Sequence, residues 1–267
     1  MKSQTISQSL DQGWMFQQEA TSDWRDAVVP GCVHLDLLKH DLIPEPFFGL
    51  NEKDIQWISD EGWTYRLIFD TEKEVHRKKH KRLRFQGLDT YADIYLNGEK
   101  IISADNMFRP WEADVANILL PKDNELLVVF RPPLKEVTPK MRSLGHSLPA
   151  ENDQAGGTSP FTRKAPFHYG WDWGPCFVIS GIWKEVELVA WDLWQIEEVS
   201  LNTHKLTKAS AELEVEIELM SELGEECQVI ISESRSGKIE KFKFNLVAGK
   251  NIHKYPISIV DPELWWP

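Results

Sequence analysis

The sequence predicts an all-β protein, a sandwich or jelly roll of short strands followed by a second β-rich unit. Three observations predict it. Short runs of alternating apolar and polar residues recur along most of the 267-residue chain, which is the period of a strand with one buried face. Asn97-Gly98 separates two such runs, and both residue types tolerate the positive φ of a tight hairpin. Helical periodicity is confined to one short stretch.

That stretch is residues 33–42, where Leu35, Leu38 and Leu42 share a face between Pro30-Gly31 and Pro44. Alternation begins at residues 63–69 and resumes at 81–85. Residues 91–96 and 100–102 form the two arms of the Asn-Gly hairpin. Residues 126–130 are a continuous apolar run ended by Pro132-Pro133. A central strand excludes prolines, so a loop is expected from there. Residues 138–160 are rich in Gly, Ser, Pro and Asn; a connection this long inside a domain is a functional loop or a mobile one. Strand patterns return at 177–179 and 183–189.

The character changes near residues 191–195, which places one domain at 1–192 and a second at 193–267. In the second, Glu212, Glu214, Glu216 and Glu218 alternate with Leu213, Val215, Ile217 and Leu219. Four carboxylates in register suggest chemistry, but the plainer reading is the wet face of a half-buried strand. With residues 227–232, 239–246 and 251–259 the second domain counts about five strands, against about seven in a complete immunoglobulin-like sandwich. It is therefore expected to be truncated at its C-terminal end.

Composition excludes several classes. Apolar residues make up 42% of the chain, enough for a core. The net charge of −12 opposes binding to a phosphate backbone, so nucleic acid is not an expected partner. The basic run Arg77, Lys78, Lys79, Lys81, Arg82 and Arg84 lies between strand patterns and reads as a solvated turn. Three widely spaced cysteines, Cys32, Cys176 and Cys227, form neither a disulfide framework nor a zinc site. They fit a reducing compartment. With no apolar leader, no Asn-x-Ser/Thr sequon and no long apolar stretch, the expected location is the cytoplasm, away from membranes. No metal-ligand spacing, phosphate loop or dinucleotide glycine pattern is present, so no cofactor or metal is expected.

The most informative segment is Phe167-His168-Tyr169-Gly170-Trp171-Asp172-Trp173-Gly174-Pro175. An aromatic face packs against the C–H side of a pyranose. A carboxylate accepts hydrogen bonds from two neighbouring hydroxyls, and its charge strengthens them. Glycines let the backbone bend and approach closely. Plainer roles compete: Trp173 as core, Asp172 as a turn cap, His168 as a packed histidine. Arg163 either holds Asp172 by a charge-assisted bond or is a surface side chain. Glu151 and Asp153, two carboxylates in a polar loop, read as solvated groups and not as a catalytic pair.

The segment resembles the Gly-Trp-Asp-Trp-Gly-Pro motif of glycoside hydrolase family 2 β-mannosidases. Val29 to Leu38 with Leu42-Ile43-Pro44 looks like that family's early helix, and Gly62-Trp63-Thr64-Tyr65 like its next strand. Gly87 to Ala92 with Tyr95-Leu96-Asn97-Gly98 is similar to a hairpin that family 2 β-galactosidases and β-glucuronidases share. Arg163-Lys164 and Ser180-Gly181-Ile182-Trp183 flank the motif, and Leu264-Trp265-Trp266-Pro267 looks like the exit from the second domain. Cys176 departs from the pattern, standing where a basic residue is expected. The resemblance implies a galactose-binding-like jelly roll, then an immunoglobulin-like domain, then a (β/α)8 barrel carrying both catalytic glutamates beyond residue 267. It implies no catalytic residue here, and substrate contact through Trp171 and Asp172, with Trp173 and Arg163 as further candidates. The implied substrate is a β-mannoside oligosaccharide and the implied partner is the barrel. A β-galactosidase or β-glucuronidase of the same family, a stand-alone carbohydrate-binding module and an adhesive sandwich are the rival readings.

Overall fold

The structure is a computed structural model that describes residues 5–19 and 21–265. The chain divides into two compact units, residues 6–190 and, with Thr5, residues 191–265.

The first unit runs β1 (Ile6–Ser9), β2 (Met15–Gln18), β3 (Arg25–Asp26), α1 (Val33–Lys39), α2 (Asn51–Asp54), β4 (Trp63–Phe69), α3 (Lys73–Arg77), β5 (His80–Phe85), β6 (Leu88–Asp89), β7 (Tyr91–Leu96), β8 (Glu99–Asp105), β9 (Trp111–Asp114), β10 (Asn124–Phe130), α4 (Pro133–Leu144), β11 (Gly181–Ile182) and β12 (Val186–Trp191). Two antiparallel sheets, β3-β2-β4-β10-β7-β8 and β1-β12-β5-β9, supply one core. Alternation decides which side chains enter it. Trp63, Tyr65 and Leu67 of β4, Ile94 and Leu96 of β7, Leu126, Val128 and Phe130 of β10 and Leu83 and Phe85 of β5 are all buried. Asn97 and Gly98 take φ of 52° and 84° at the β7–β8 turn. The Asn97 side chain also receives the Glu125 amide at 2.9 Å and donates to Ile118 O at 2.8 Å, tying the hairpin to β10.

Helix α1 ends before residue 42 because His40 leaves helical geometry and Asp41 takes φ 54°. Its buried Asp36 accepts the Tyr65 hydroxyl at 2.6 Å and the Val28 amide at 2.8 Å, which fixes the helix to β4. Burial raises this carboxyl above its ordinary value.

Two expectations need correction. Pro132-Pro133 opens helix α4, not a loop, because proline at the first helical position loses no hydrogen bond there. The helix stops at Gly145, left-handed at φ 75°, so the irregular stretch is shorter than residues 138–160. The basic run is not one turn. Arg77 closes α3, while Lys81, Arg82 and Arg84 lie on β5, where Arg82 meets Glu112 at 3.0 Å and Arg84 meets Glu187 at 3.4 Å.

Strand β11 is short and tightly enclosed. It pairs with β6, and the segment before α1 lies against it: Gly31 N donates to Ile182 O at 2.8 Å and Val33 N to Ser180 O at 2.9 Å. A Cβ on Gly181 would sit 2.6 Å from both Cys32 Cα and Gly31 O. Gly181→Ala is therefore expected to lower stability by about 1–3 kcal/mol. An unchanged urea midpoint would show that the 31–32 backbone yields freely.

The second unit has five strands among the described residues: β13 (Trp194–Leu206), β14 (Ser210–Ser221), β15 (Glu226–Ser232), β16 (Ile239–Asn245) and β17 (Gly249–Val260). They form the sheets β13-β14-β17 and β15-β16. Val215, Ile217 and Leu219 of β14 are buried. The alternating glutamates face lysines, with Lys254 meeting Glu216 at 2.6 Å and Glu214 at 3.2 Å, and Lys250 meeting Glu218 at 2.7 Å. This is the wet face that the alternation predicts. The closing motif at 264–267 lies partly outside the described residues, since Trp266 and Pro267 are not among them.

Candidate functional site: an exposed Trp-Asp-Trp turn

Residues 164–180 leave the sandwich after Lys164 and return to it at β11. The excursion is folded on itself. Pro166–His168 make one 3-10 turn. Tyr169 and Cys176 form an antiparallel bridge. Trp171 and Gly174 exchange backbone hydrogen bonds of 3.1 and 3.4 Å, so residues 171–174 form a closed four-residue turn.

The neck of this turn is braced from two sides. Gln154 N donates to Tyr169 O at 2.8 Å, and Gln154 Nε2 donates to Trp171 O at 3.0 Å. Gly170 makes that approach possible: its φ is 92°, and a Cβ would lie 2.8 Å from Gln154 Nε2. The loop carrying Gln154 is held by Asp153, which accepts the amides of Ala155 at 2.7 Å and Ser159 at 2.8 Å. Asp153 is thus a loop-capping group. On the other side, Glu52 Oε1 accepts the Cys176 amide at 2.6 Å and Gln56 Nε2 donates to Cys176 O at 2.9 Å. Cys176, standing where a basic residue is expected, buries its side chain with Tyr169 and Val178, and burial pushes its thiol up to about 11.

The tip is open. Trp171 is 42% exposed and Trp173 83% exposed, with ring centroids 6.2 Å apart. Trp173 is therefore not core. Asp172 between them is exposed, and no donor among the described residues reaches its carboxylate, so it is not a turn cap. Phe167 and Phe47 add further exposed rings, Phe47 meeting Phe177 edge-on at 5.3 Å. Arg163 is exposed and its backbone bridges to Asn106. The structure brings Trp171 and Trp173 together at the tip with Asp172 and, among the described residues, records no ion pair from Arg163 to it.

Sequence reasoning missed the electrostatics beneath the turn. Lys164 Nζ lies 2.5 Å from Asp89 Oδ2 and donates to Ile179 O at 2.7 Å, with both charged side chains 0% exposed. The pair is 75 residues apart in the chain, so no local spacing announces it. Burial lowers Lys164 from its ordinary value, while Asp89 opposes that shift. His168 Nδ1 stands 3.6 Å from the same Asp89 oxygen. Burial, helped by the charge on Lys164, lowers His168 and its neighbour His34 each to about 4. His168 is thus a packed, neutral ring near pH 7.

A tightly braced loop that presents two indoles and a carboxylate with no donor partner among the described residues has the chemistry to meet a polyhydroxylated ring. Comparison with known proteins supplies the family. Residues 14–184 match the family described as glycosyl hydrolase 2 galactose-binding domain-like. The chain belongs to glycosyl hydrolase family 2. Among family members, a β-D-mannosidase from Dictyoglomus thermophilum superposes with a TM-score of 0.88 at 37% identity, over 98% of this chain and 32% of that one. A β-mannosidase B of Emericella nidulans is 31% identical over 97% of this chain and 31% of its own length. That of Thermothelomyces thermophilus is 38% identical over 67% of this chain and 21% of its own length. The family 2 chain described here thus spans a third or less of these relatives. Among the described residues no helix is long and apolar enough to cross a membrane.

Proposed function

We propose that this chain is the N-terminal, non-catalytic part of a retaining β-mannosidase that removes terminal, non-reducing β-D-mannosyl residues from oligosaccharides. Residues 1–192 are then the sugar-binding domain and residues 193–267 part of an immunoglobulin-like one. One observation carries the reading: on a turn braced at its neck, the exposed Asp172, whose carboxylate meets no donor among the described residues, is flanked in sequence by two exposed indoles. In this reading an indole of Trp171 or Trp173 covers the apolar face of the mannosyl ring, and Asp172 accepts two of its hydroxyls. A sugar lacking a hydroxyl there leaves the charge unpaired and is rejected. Arg163, which is exposed, is a further candidate contact to the sugar.

Bond cleavage with retention needs two carboxyl groups roughly 5–5.5 Å apart, one acid/base and one nucleophile. We assign both to the barrel expected in the remainder of the polypeptide, since this chain covers only 31–32% of full-length mannosidases. The three free thiols support a reducing, cytoplasmic setting.

The test is an assay of the full-length gene product on nitrophenyl β-mannoside, β-galactoside and β-glucuronide. We expect kcat/KM to favour the mannoside by about 100-fold or more, the scale of losing one hydrogen bond to a charged group, about 1.5–3 kcal/mol. Faster turnover of either rival would replace the mannoside reading by another family 2 activity. Calorimetric titration of the 267-residue chain with mannose should give weak or no heat. Tight saturable binding would favour a stand-alone binding module.

A further inference from the structure

The braces on the neck of the turn do not explain what holds its base. Lys164 begins the excursion and Ile179 ends it, and the Lys164 ammonium bonds directly to the Ile179 carbonyl at 2.7 Å. The same ammonium lies 2.5 Å from Asp89 on β6, the strand that pairs with β11 immediately after the loop. One cation thus joins the outgoing end, the returning end and the sandwich. Asp89 also accepts the Thr90 hydroxyl, so its second oxygen is occupied.

A buried pair of this kind is a poor way to gain stability, since apolar residues of similar volume do as well or better. What an ammonium offers and a methyl group does not is direction. Its N–H bonds point at one carbonyl and one carboxylate and fix the register of the two loop ends. The geometry points to Lys164 as a positioning residue, which, oriented by Asp89, sets where the Trp171–Trp173 tip stands. Its consequence for turnover rests on the sugar-contact reading of Asp172; its consequence for loop order does not.

The test compares Lys164→Met with the double variant Asp89→Asn/Lys164→Met. The single variant strands a buried carboxylate and is expected to fold poorly. The double variant removes both charges, keeps an acceptor for Thr90 and is expected to fold with a melting temperature near that of the parent. Two readouts follow. In the 267-residue chain, amide exchange at Trp171 and Gly174 is expected to rise about tenfold in the double variant, with β4 and β10 unchanged. In the full-length gene product, kcat on nitrophenyl β-mannoside is expected to fall up to about 100-fold with little change in KM, the signature of a misplaced group.

A folded double variant with parental exchange at both amides overturns the proposal outright. Faster exchange with parental kcat overturns its functional half. Should the parent fail on mannosides, or Asp172→Ala leave its rate intact, the sugar reading falls, and the exchange measurement alone still decides whether Lys164 orders the loop.

Discussion

Asp172→Ala in the full-length gene product is expected to lower kcat/KM for an aryl β-mannoside by about 100- to 1,000-fold, a loss of about 3–4 kcal/mol. The substitution is a clean one. Asp172 is exposed and contacts no donor among the described residues, so its removal leaves every brace of the loop in place. The Trp171–Gly174 turn bonds and the Gln154 clamp involve backbone atoms and a different side chain. Stability should therefore stay within about 0.5 kcal/mol of the parent, as for other surface changes. The loss arises only with sugar present. Two hydrogen bonds to a charged acceptor contribute roughly 1.5–3 kcal/mol each, which is enough to account for it. Asp172→Asn keeps the shape and loses the charge, so it should fall between. A near-parental rate for the alanine variant would remove Asp172 from the pocket.

The second large effect concerns pH and needs no substrate. His34 and His168 ordinarily titrate near 6.5 but are lowered to about 4 in the fold, chiefly by burial and then by the charge on Lys164. Unfolded, both take up protons below about 6.5; folded, they resist until about 4. The unfolded state therefore binds more protons throughout that window, and stability falls as pH drops through it. A tenfold change in proton affinity is about 1.4 kcal/mol, so one ring contributes about 3 kcal/mol. That is a large part of the roughly 5–15 kcal/mol typical of a domain. The buried Asp36 acts oppositely, because a raised carboxyl favours the fold as acid is added. Urea titrations at pH 7.5 and 4.5 should show a clear drop in midpoint, reduced in the His34→Gln/His168→Gln variant. Equal midpoints in the parent would mean that these rings are hydrated.

Most of the fold was legible because its signals are local. The β7–β8 hairpin follows from two residues that accept positive φ, and the alternation in β4, β10 and β14 states which side chains turn inward. Helix α4 was not legible. Two prolines in succession look like an ending, and only the tertiary setting made them a beginning. The Trp171–Trp173 turn was visible as a cluster of costly residue types, yet its posture depends on Gln154, Glu52 and Gln56, none of which carries a motif. Arg163 and Lys164 show the limit most clearly. They are adjacent and alike in charge, but one faces solvent and the other lies at the centre of a buried pair. The partner that decides this stands on a strand far back in the chain.

The tryptophan at the crest of the loop has a practical side. Trp14 and Trp63 are sealed in the core while Trp173 is bathed in solvent, so their indoles emit at different wavelengths. Subtracting the spectrum of a Trp173→Phe sample from that of the parent isolates the red-shifted emission of one ring. Any molecule that settles on the crest changes that signal, so the chain carries its own optical reporter and needs no dye.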